Sequence, residues 1–164
     1  MAVNERLARF LAQEHAAHEV LPHLAEFTAQ RVAEAAHVPG AHLAKVLLVR
    51  EHGGAYLMLV VPAPCRVDLT ALKIAGAGRK FSLASEDEIQ RRFPDCEVGA
   101  MPPFGGLYDL PVYVDACFPR GEEVVFQGGN HHEVVRMRYA DYERLVQPVV
   151  GEFCLHAREK QVND

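Results

Sequence analysis

Two features of this chain have residue types and spacing that could do chemistry, and the first is a lysine in an apolar segment. Lys45 lies in the stretch 43–49, in which all the remaining residues are apolar. An ammonium in such surroundings loses hydration unless it finds a partner, and in a pocket it would hold a phosphate or a developing negative charge. The alternative is a lysine at a strand end whose amine reaches solvent.

The second feature is the loop 99–105, with the sequence Gly-Ala-Met-Pro-Pro-Phe-Gly. Its prolines fix the backbone, and its glycines let another group approach closely. The loop therefore offers rigid carbonyls and amides rather than reactive side chains. This suits recognition of a small polar group such as an ammonium, and the alternative is a tight connection between strands.

A pair of histidines, His131 and His132, follows Gly128-Gly129-Asn130 and precedes a predicted strand. Neighbouring side chains on a strand point to opposite faces, so at most one of the two faces a given pocket. That histidine would donate a hydrogen bond or position a water near neutral pH. An exposed polar turn is the alternative, and the sequence does not say which histidine would serve.

The remaining histidines and the cysteines do not have the spacing of metal ligands. There is no H-E-x-x-H motif and no Cys/His cluster, so we expect no metal and no other cofactor. The cysteines are scattered without a C-x-x-C pair, and we expect reduced thiols rather than a disulfide framework. They are Cys65, Cys96, Cys117 and Cys154.

The length and net charge of the chain limit the classes of protein to which it can belong. The 164 residues fit one domain, and the formal net charge of -5 argues against non-specific coating of nucleic acid. The N-terminus lacks the pattern of a signal peptide, and no apolar run has the length of a membrane span. We expect a cytoplasmic protein without DNA or membrane partners. Its densest basic region is a solvated face or a small RNA footprint, and comprises Lys73, Arg79, Lys80, Arg91 and Arg92.

The elements that must position these residues alternate between helices and strands. Capping residues and apolar spacing predict helices after Asn4 and at 29–36, 68–75, 86–92 and 139–146. Apolar and alternating runs predict strands at 17–21, 44–50, 55–61, 81–84, 112–115, 123–126 and 133–137. The predicted fold is a single α+β domain over 1–155, with a mixed, partly barrel-like sheet, surrounding helices and a polar tail at 156–164.

Taken in order, these segments resemble the YbaK family, the aminoacyl-tRNA deacylases related to the editing domain inserted in bacterial prolyl-tRNA synthetases. The resemblance runs from about Thr28 to Val146. It rests on segments whose order and spacing match, namely 28–36, Lys45 in its strand, 81–88, the G-x-x-x-P loop from Gly99, 112–115, 128–132 and 139–142.

The resemblance implies hydrolysis of the ester between a wrongly attached amino acid and the tRNA 3′ end, without metal or covalent intermediate. Lys45 would bind the terminal phosphate or adenosine, and the Gly99 carbonyl would hold the amino acid's ammonium. Water would attack with help from the ribose hydroxyl. The implied substrate-binding residues are Val46, Ala100, Met101, Pro102, Pro103, Phe104, Gly105, Gly129, His131 and His132.

The same resemblance bears on specificity and partners. Val46 stands where alanine-specific members often carry a polar residue, and the ending 146–153 looks more like the serine and threonine branch. We therefore expect a free-standing trans-editing enzyme for small residues (alanine, serine and threonine, with cysteine a further candidate). Its partners would be the acceptor end of aminoacyl-tRNA and a synthetase. The alternative function is a non-catalytic module that binds aminoacyl-tRNA or a synthetase.

Overall fold

Two sheets form the framework around the residues that the sequence singles out. The computed structural model describes residues 4–23, 29–70, 72, 79–119 and 121–155. Its strands are β1 Glu19–Pro22, β2 Ala44–Glu51, β3 Tyr56–Pro62, β4 Phe81–Leu83, β5 Val112–Asp115, β6 Glu123–Gln127, β7 Glu133–Arg138 and β8 Val149–Gly151. Its α-helices are α1 Glu5–Gln13, α2 Ala29–Ala35, α3 Glu86–Arg92 and α4 Tyr139–Val146, with 3-10 turns at Gly40–His42 and Gly105–Tyr108.

The larger sheet has the strand order β4-β2-β3-β5-β8, and the smaller has the order β1-β7-β6. The β2–β3 hairpin is antiparallel and sets Lys45 opposite Val61, whereas β5 is parallel to both β3 and β8. The two sheets meet where Leu43 and Val125 form a parallel bridge. The α+β class, the mixed sheet and the surrounding helices are confirmed, but the strands divide between two sheets rather than forming one.

The side chains of β2 alternate between two cores. Val46 and Leu48 point into the inner core between the sheets, while Leu47 and Val49 belong to an outer core on the other face of the larger sheet. Alternation along a strand has a period of two residues, so Lys45 shares the outer face with Leu47 and Val49.

The helix caps that the sequence predicts are present in the described residues. Asn4 Oδ1 accepts a hydrogen bond from the amide of Leu7 at 3.1 Å, and α1 buries Leu7 and Leu11. Ser85 and Glu88 form a reciprocal capping box at the start of α3. These predictions succeed because a cap depends only on residues three positions apart.

The prediction of four reduced thiols is wrong for one pair, since Cys65 and Cys154 form a disulfide. The two residues are 89 positions apart, and backbone pairing brings their segments together at the bridge between Val67 and Cys154. Pairing over this distance leaves no local spacing pattern, so the disulfide could not be predicted from the positions of the cysteines. Cys96 and Cys117 keep their thiols.

Parts of several predictions lie outside the described residues. These parts are Thr28 as a cap, most of the helix predicted at 68–75 and the tail from 156. Within the described part, Asp68 Oδ1 accepts from the amide of Thr70 at 3.0 Å, as expected of a cap. No helix among the described residues is long and apolar enough to cross a membrane.

Candidate active site

Lys45 sits half-buried on the outer face of β2, and its ammonium is held by a backbone carbonyl. Its Nζ donates to the oxygen of Cys65 at 2.8 Å. Burial lowers the pKa of this lysine, because the charged form loses hydration. The acceptor belongs to a disulfide-bonded residue, so the segment that receives the ammonium is tied to the chain near Cys154.

Gly99 lies in a β-turn formed by Glu97, Val98, Gly99 and Ala100. The amide of Ala100 donates to the carbonyl of Glu97 at 3.0 Å, and Gly99 has φ +89. A positive φ at the third position is the requirement of a type II turn, and glycine meets it without strain. The sequence thus places glycine where this turn needs it. Gly99 itself is exposed at the surface.

Four further hydrogen bonds fix this turn against the residues after β6. Gly129 accepts from the amide of Glu97 at 2.9 Å and donates to the carbonyl of Ala100 at 2.8 Å. Gln127 Nε2 donates to the carbonyl of Gly99 at 3.2 Å. His131 Nε2 lies 2.9 Å from the carbonyl of Val98. Both inner carbonyls of the turn are therefore oriented by side chains.

Lys45 and Gln127 both lie close in sequence to the bridge between the two sheets. Leu43 and Val125 pair in parallel and share one apolar cluster on the outer side. Lys45 and Gln127 each follow two residues later, so alternation places Lys45 on the side of Leu43 and Gln127 on the side of Val125. Gln127 in turn contacts the Gly99 carbonyl.

The structure distinguishes the two histidines that the sequence left equivalent. His131 is buried, and its Nδ1 lies 3.2 Å from Gln127 Oε1. A Cβ added to Gly99 would stand 3.6 Å from His131 Cε1. His132 is exposed. His131 is therefore the histidine beside the turn, while a role for either in binding substrate stays a prediction.

Most other residues predicted to bind substrate have buried side chains. Val46, Met101 and Phe104 belong to the inner core, and Tyr142 OH donates to the carbonyl of Pro103 at 2.8 Å. Any contribution of these residues to a ligand would come from the backbone or through packing. The same holds for the buried Ala100, Pro102, Gly105 and Gly129, and the predicted binding role of the set remains untested.

An open cavity of about 660 Å³ reaches the turn from the side of α3. Cys96, Glu97, Val98 and His131 are among its lining residues, and Lys45 is not among those described. Burial raises the pKa of the Cys96 thiol to about 11. A raised pKa leaves less of the thiolate at neutral pH, which lowers the reactivity of Cys96 as a nucleophile.

The predicted basic footprint lies at the other end of β2. Arg79 pairs with Glu51 at 3.4 Å, and the Arg92 guanidinium lies 4.9 Å from the centre of the Tyr56 ring. Lys80 and Arg91 are exposed, and Lys73 is outside the described residues. Six residues of strand separate Lys45 from Glu51, which corresponds to about 20 Å.

Gln127 was not among the predicted site residues, because the strand was expected to end at Phe126. Gln127 is only 6% exposed although it is polar, and it follows Val125 on the same side of β6. The signal in the sequence was an amide side chain at a position that alternation makes buried, directly before two glycines. Such an amide indicates a specific hydrogen-bonding role. A buried amide needs partners, and here Gly99 and His131 are the partners.

The comparisons with solved structures define the class of fold. A candidate trans-editing enzyme for prolyl tRNA synthetase has a TM-score of 0.78 and 22% identity, and the match covers 93% of this chain and 97% of that one. The hypothetical protein APE2540 has a TM-score of 0.82 and 19% identity, over 92% and 100% of the two chains. This chain thus shares its fold with both of these proteins.

The sequence comparisons define the family. The model of the aminoacyl-tRNA editing domain matches residues 23–145. The Multifunctional Ser/Thr-tRNA deacylase ProXp-y of Escherichia coli K12 is 30% identical over 154 residues, which are 92% of each chain. This chain belongs to the aminoacyl-tRNA editing domain family, and the resemblance read from the sequence is confirmed.

Proposed function

We propose that this protein is a free-standing hydrolase that removes small amino acids from mischarged tRNA. Family membership supports action on aminoacyl-tRNA. The observation that supports the proposal is the turn at Gly99, whose two inner carbonyls contact Gln127 and His131, in a chain that also carries the half-buried Lys45. A cation and a rigid pair of backbone carbonyls match the two ends of the substrate, which are a phosphate and an ammonium.

In the proposed reaction a water adds to the carbonyl carbon of the aminoacyl ester. The bond from that carbon to the ribose oxygen then breaks, and the water's proton balances the departing oxygen. Free amino acid and tRNA with both terminal hydroxyls are the products. Lys45 binds the terminal phosphate, and the Gly99 carbonyl accepts from the substrate ammonium. An activated ester needs positioning and charge stabilisation more than a strong nucleophile, which fits the protonated thiol of Cys96.

Two observations support small amino acids as substrates. The Escherichia coli relative is named a Ser/Thr-tRNA deacylase. The turn is held by hydrogen bonds to both Gln127 and His131, so the space beside it is nearly constant in size. A rigid pocket excludes larger groups well but separates neighbours poorly, because one methylene is worth about 1–3 kcal/mol. We therefore propose that serine, threonine and alanine are all removed.

The basic residues near Glu51 fit a second contact with the tRNA. At about 20 Å from Lys45 along β2, they are too distant to touch the terminal adenosine. They would instead meet backbone phosphates of the acceptor stem. Arg79 and Arg92 already contact Glu51 and Tyr56, so Lys80 and Arg91 are the more available cations.

A deacylation panel tests the proposal. Wild-type protein is mixed with a large excess of alanyl-, seryl-, threonyl-, cysteinyl-, leucyl- or phenylalanyl-tRNA in the presence of a chelator. We expect many turnovers with the first three and rates at the uncatalysed background with the last two. Binding without turnover would favour the alternative, a non-catalytic aminoacyl-tRNA or synthetase-binding module. Activity that disappears with chelator and returns with zinc would contradict the metal-free reaction.

Gly99→Ala tests the turn itself. Alanine at φ +89 is strained by roughly 1–3 kcal/mol, so the turn should shift and kcat/KM for seryl-tRNA should fall about tenfold or more. The new methyl group meets only His131 Cε1 at 3.6 Å, so the fold should persist. Gly106→Ala is the matched control, since nothing lies within 4 Å of its Cβ. Equal rates for both variants would show that the turn does not hold the substrate.

A further inference from the structure

We propose that Gln127 is a positioning residue, which aims the Gly99 carbonyl at the substrate ammonium. The inference rests on the proposed function and adds to it a residue outside the reacting groups. Gln127 is 6% exposed and ends β6, directly beside the turn 97–100. Its side chain bridges two groups that the proposed reaction needs in fixed relative positions.

The chemistry of the partners determines how the amide is oriented. The carbonyl of Gly99 can only accept, so the nitrogen of Gln127 must face it, at 3.2 Å. The oxygen of Gln127 is then left facing His131 Nδ1, also at 3.2 Å. Rotating the amide by half a turn would set two oxygens against each other at Gly99. The Gly99 carbonyl, which needs a donor, therefore favours this orientation, and Nδ1 of His131 must then carry a proton to bond the amide oxygen.

His131 makes the second side-chain contact with the turn 97–100. Its Nε2 lies 2.9 Å from the carbonyl of Val98, while its Nδ1 faces Gln127. Gln127 and His131 thus contact two successive carbonyls of one turn, and they contact each other. A ring with one proton donates to only one of its two acceptors, whereas a ring protonated on both nitrogens donates to both. A carbonyl oxygen has two lone pairs, so Gly99 can accept from Gln127 and from a ligand at the same time. Gln127 fixes the direction in which the remaining lone pair points.

Two variants distinguish the hydrogen bond from Gln127 to Gly99 from the contact between Gln127 and His131. Gln127→Met has similar length and fills the space but removes both hydrogen bonds. Gln127→Glu keeps an acceptor for His131 but faces Gly99 with an oxygen, so it loses the donor on which the proposal depends. Gln13→Met makes the same change at an exposed position at the end of α1 and is the control.

A substrate without the ammonium separates positioning from general damage to the fold. Alanyl-tRNA is compared with lactyl-tRNA, in which a hydroxyl replaces the amino group. We expect both Gln127 variants to lower kcat/KM for alanyl-tRNA about ten- to a hundredfold. The same variants should lower kcat/KM for lactyl-tRNA less than about threefold. Gln13→Met should match the wild type on both esters.

Each other result has a defined meaning. Equal losses on the two esters would make Gln127 merely structural, and would overturn the proposal. Full activity of Gln127→Glu would overturn it as well, because the contact with His131 would then suffice. If the wild type turns over neither ester, the proposed function fails and this inference fails with it. If the wild type is active and no variant changes it, only this inference is rejected.

Discussion

Lys45→Ala is expected to reduce deacylation of seryl-tRNA roughly a hundredfold or more, because a charge-assisted contact used in the transition state is worth on the order of 2–4 kcal/mol. The lysine is half-buried, so its charge acts where water screens it poorly. Its only described hydrogen bond goes to the carbonyl of Cys65, which leaves further donors on the ammonium for a phosphate.

Single-turnover rates and thermal unfolding should be measured together on this variant. Lys45→Met keeps most of the apolar stem and removes the charge, so it should be equally inactive but closer to the wild type in stability. Arg9→Ala removes an exposed cation from α1 and serves as the control. Turnover near that of the wild type in a folded Lys45→Ala protein would end the assignment of Lys45 to the active site.

Loss of the disulfide between Cys65 and Cys154 is expected to lower the free energy of unfolding by about 2–5 kcal/mol. The bond closes a long loop, since the cysteines are 89 residues apart, and chain entropy in the unfolded state rises when it is cut. The variant Cys65→Ser with Cys154→Ser should unfold at lower denaturant concentration. Cys117→Ser, at an exposed position, should behave like the wild type.

Thiol counting provides the matching chemical measurement. Protein unfolded without reductant should show two reactive thiols, from Cys96 and Cys117, and four after reduction. Because the carbonyl of Cys65 holds the ammonium of Lys45, the serine double variant should also deacylate more slowly at temperatures at which it remains folded. Four thiols before reduction, with unchanged stability in the double variant, would contradict the disulfide.

Local elements of this fold could be predicted because their causes are local. The cap at Asn4, the capping box at Ser85 and the β2–β3 hairpin each depend on residues that are close in sequence. β8 was not predicted, since Val149–Gly151 is a short segment whose strand character comes from pairing with β5, more than thirty residues earlier. The number of sheets likewise depended on which strands pair.

The sequence by itself determined the composition of the site: an apolar strand carrying Lys45, a glycine turn at Gly99 and a histidine pair, in the order that identifies the family. Only the tertiary structure decided that His131 rather than His132 meets the turn and that Gln127 joins it to Gly99. It also decided the pairing of Cys65 with Cys154. The physical reason is that hydrogen bonds and disulfides between distant segments depend on strand register and burial, which no short stretch of sequence encodes.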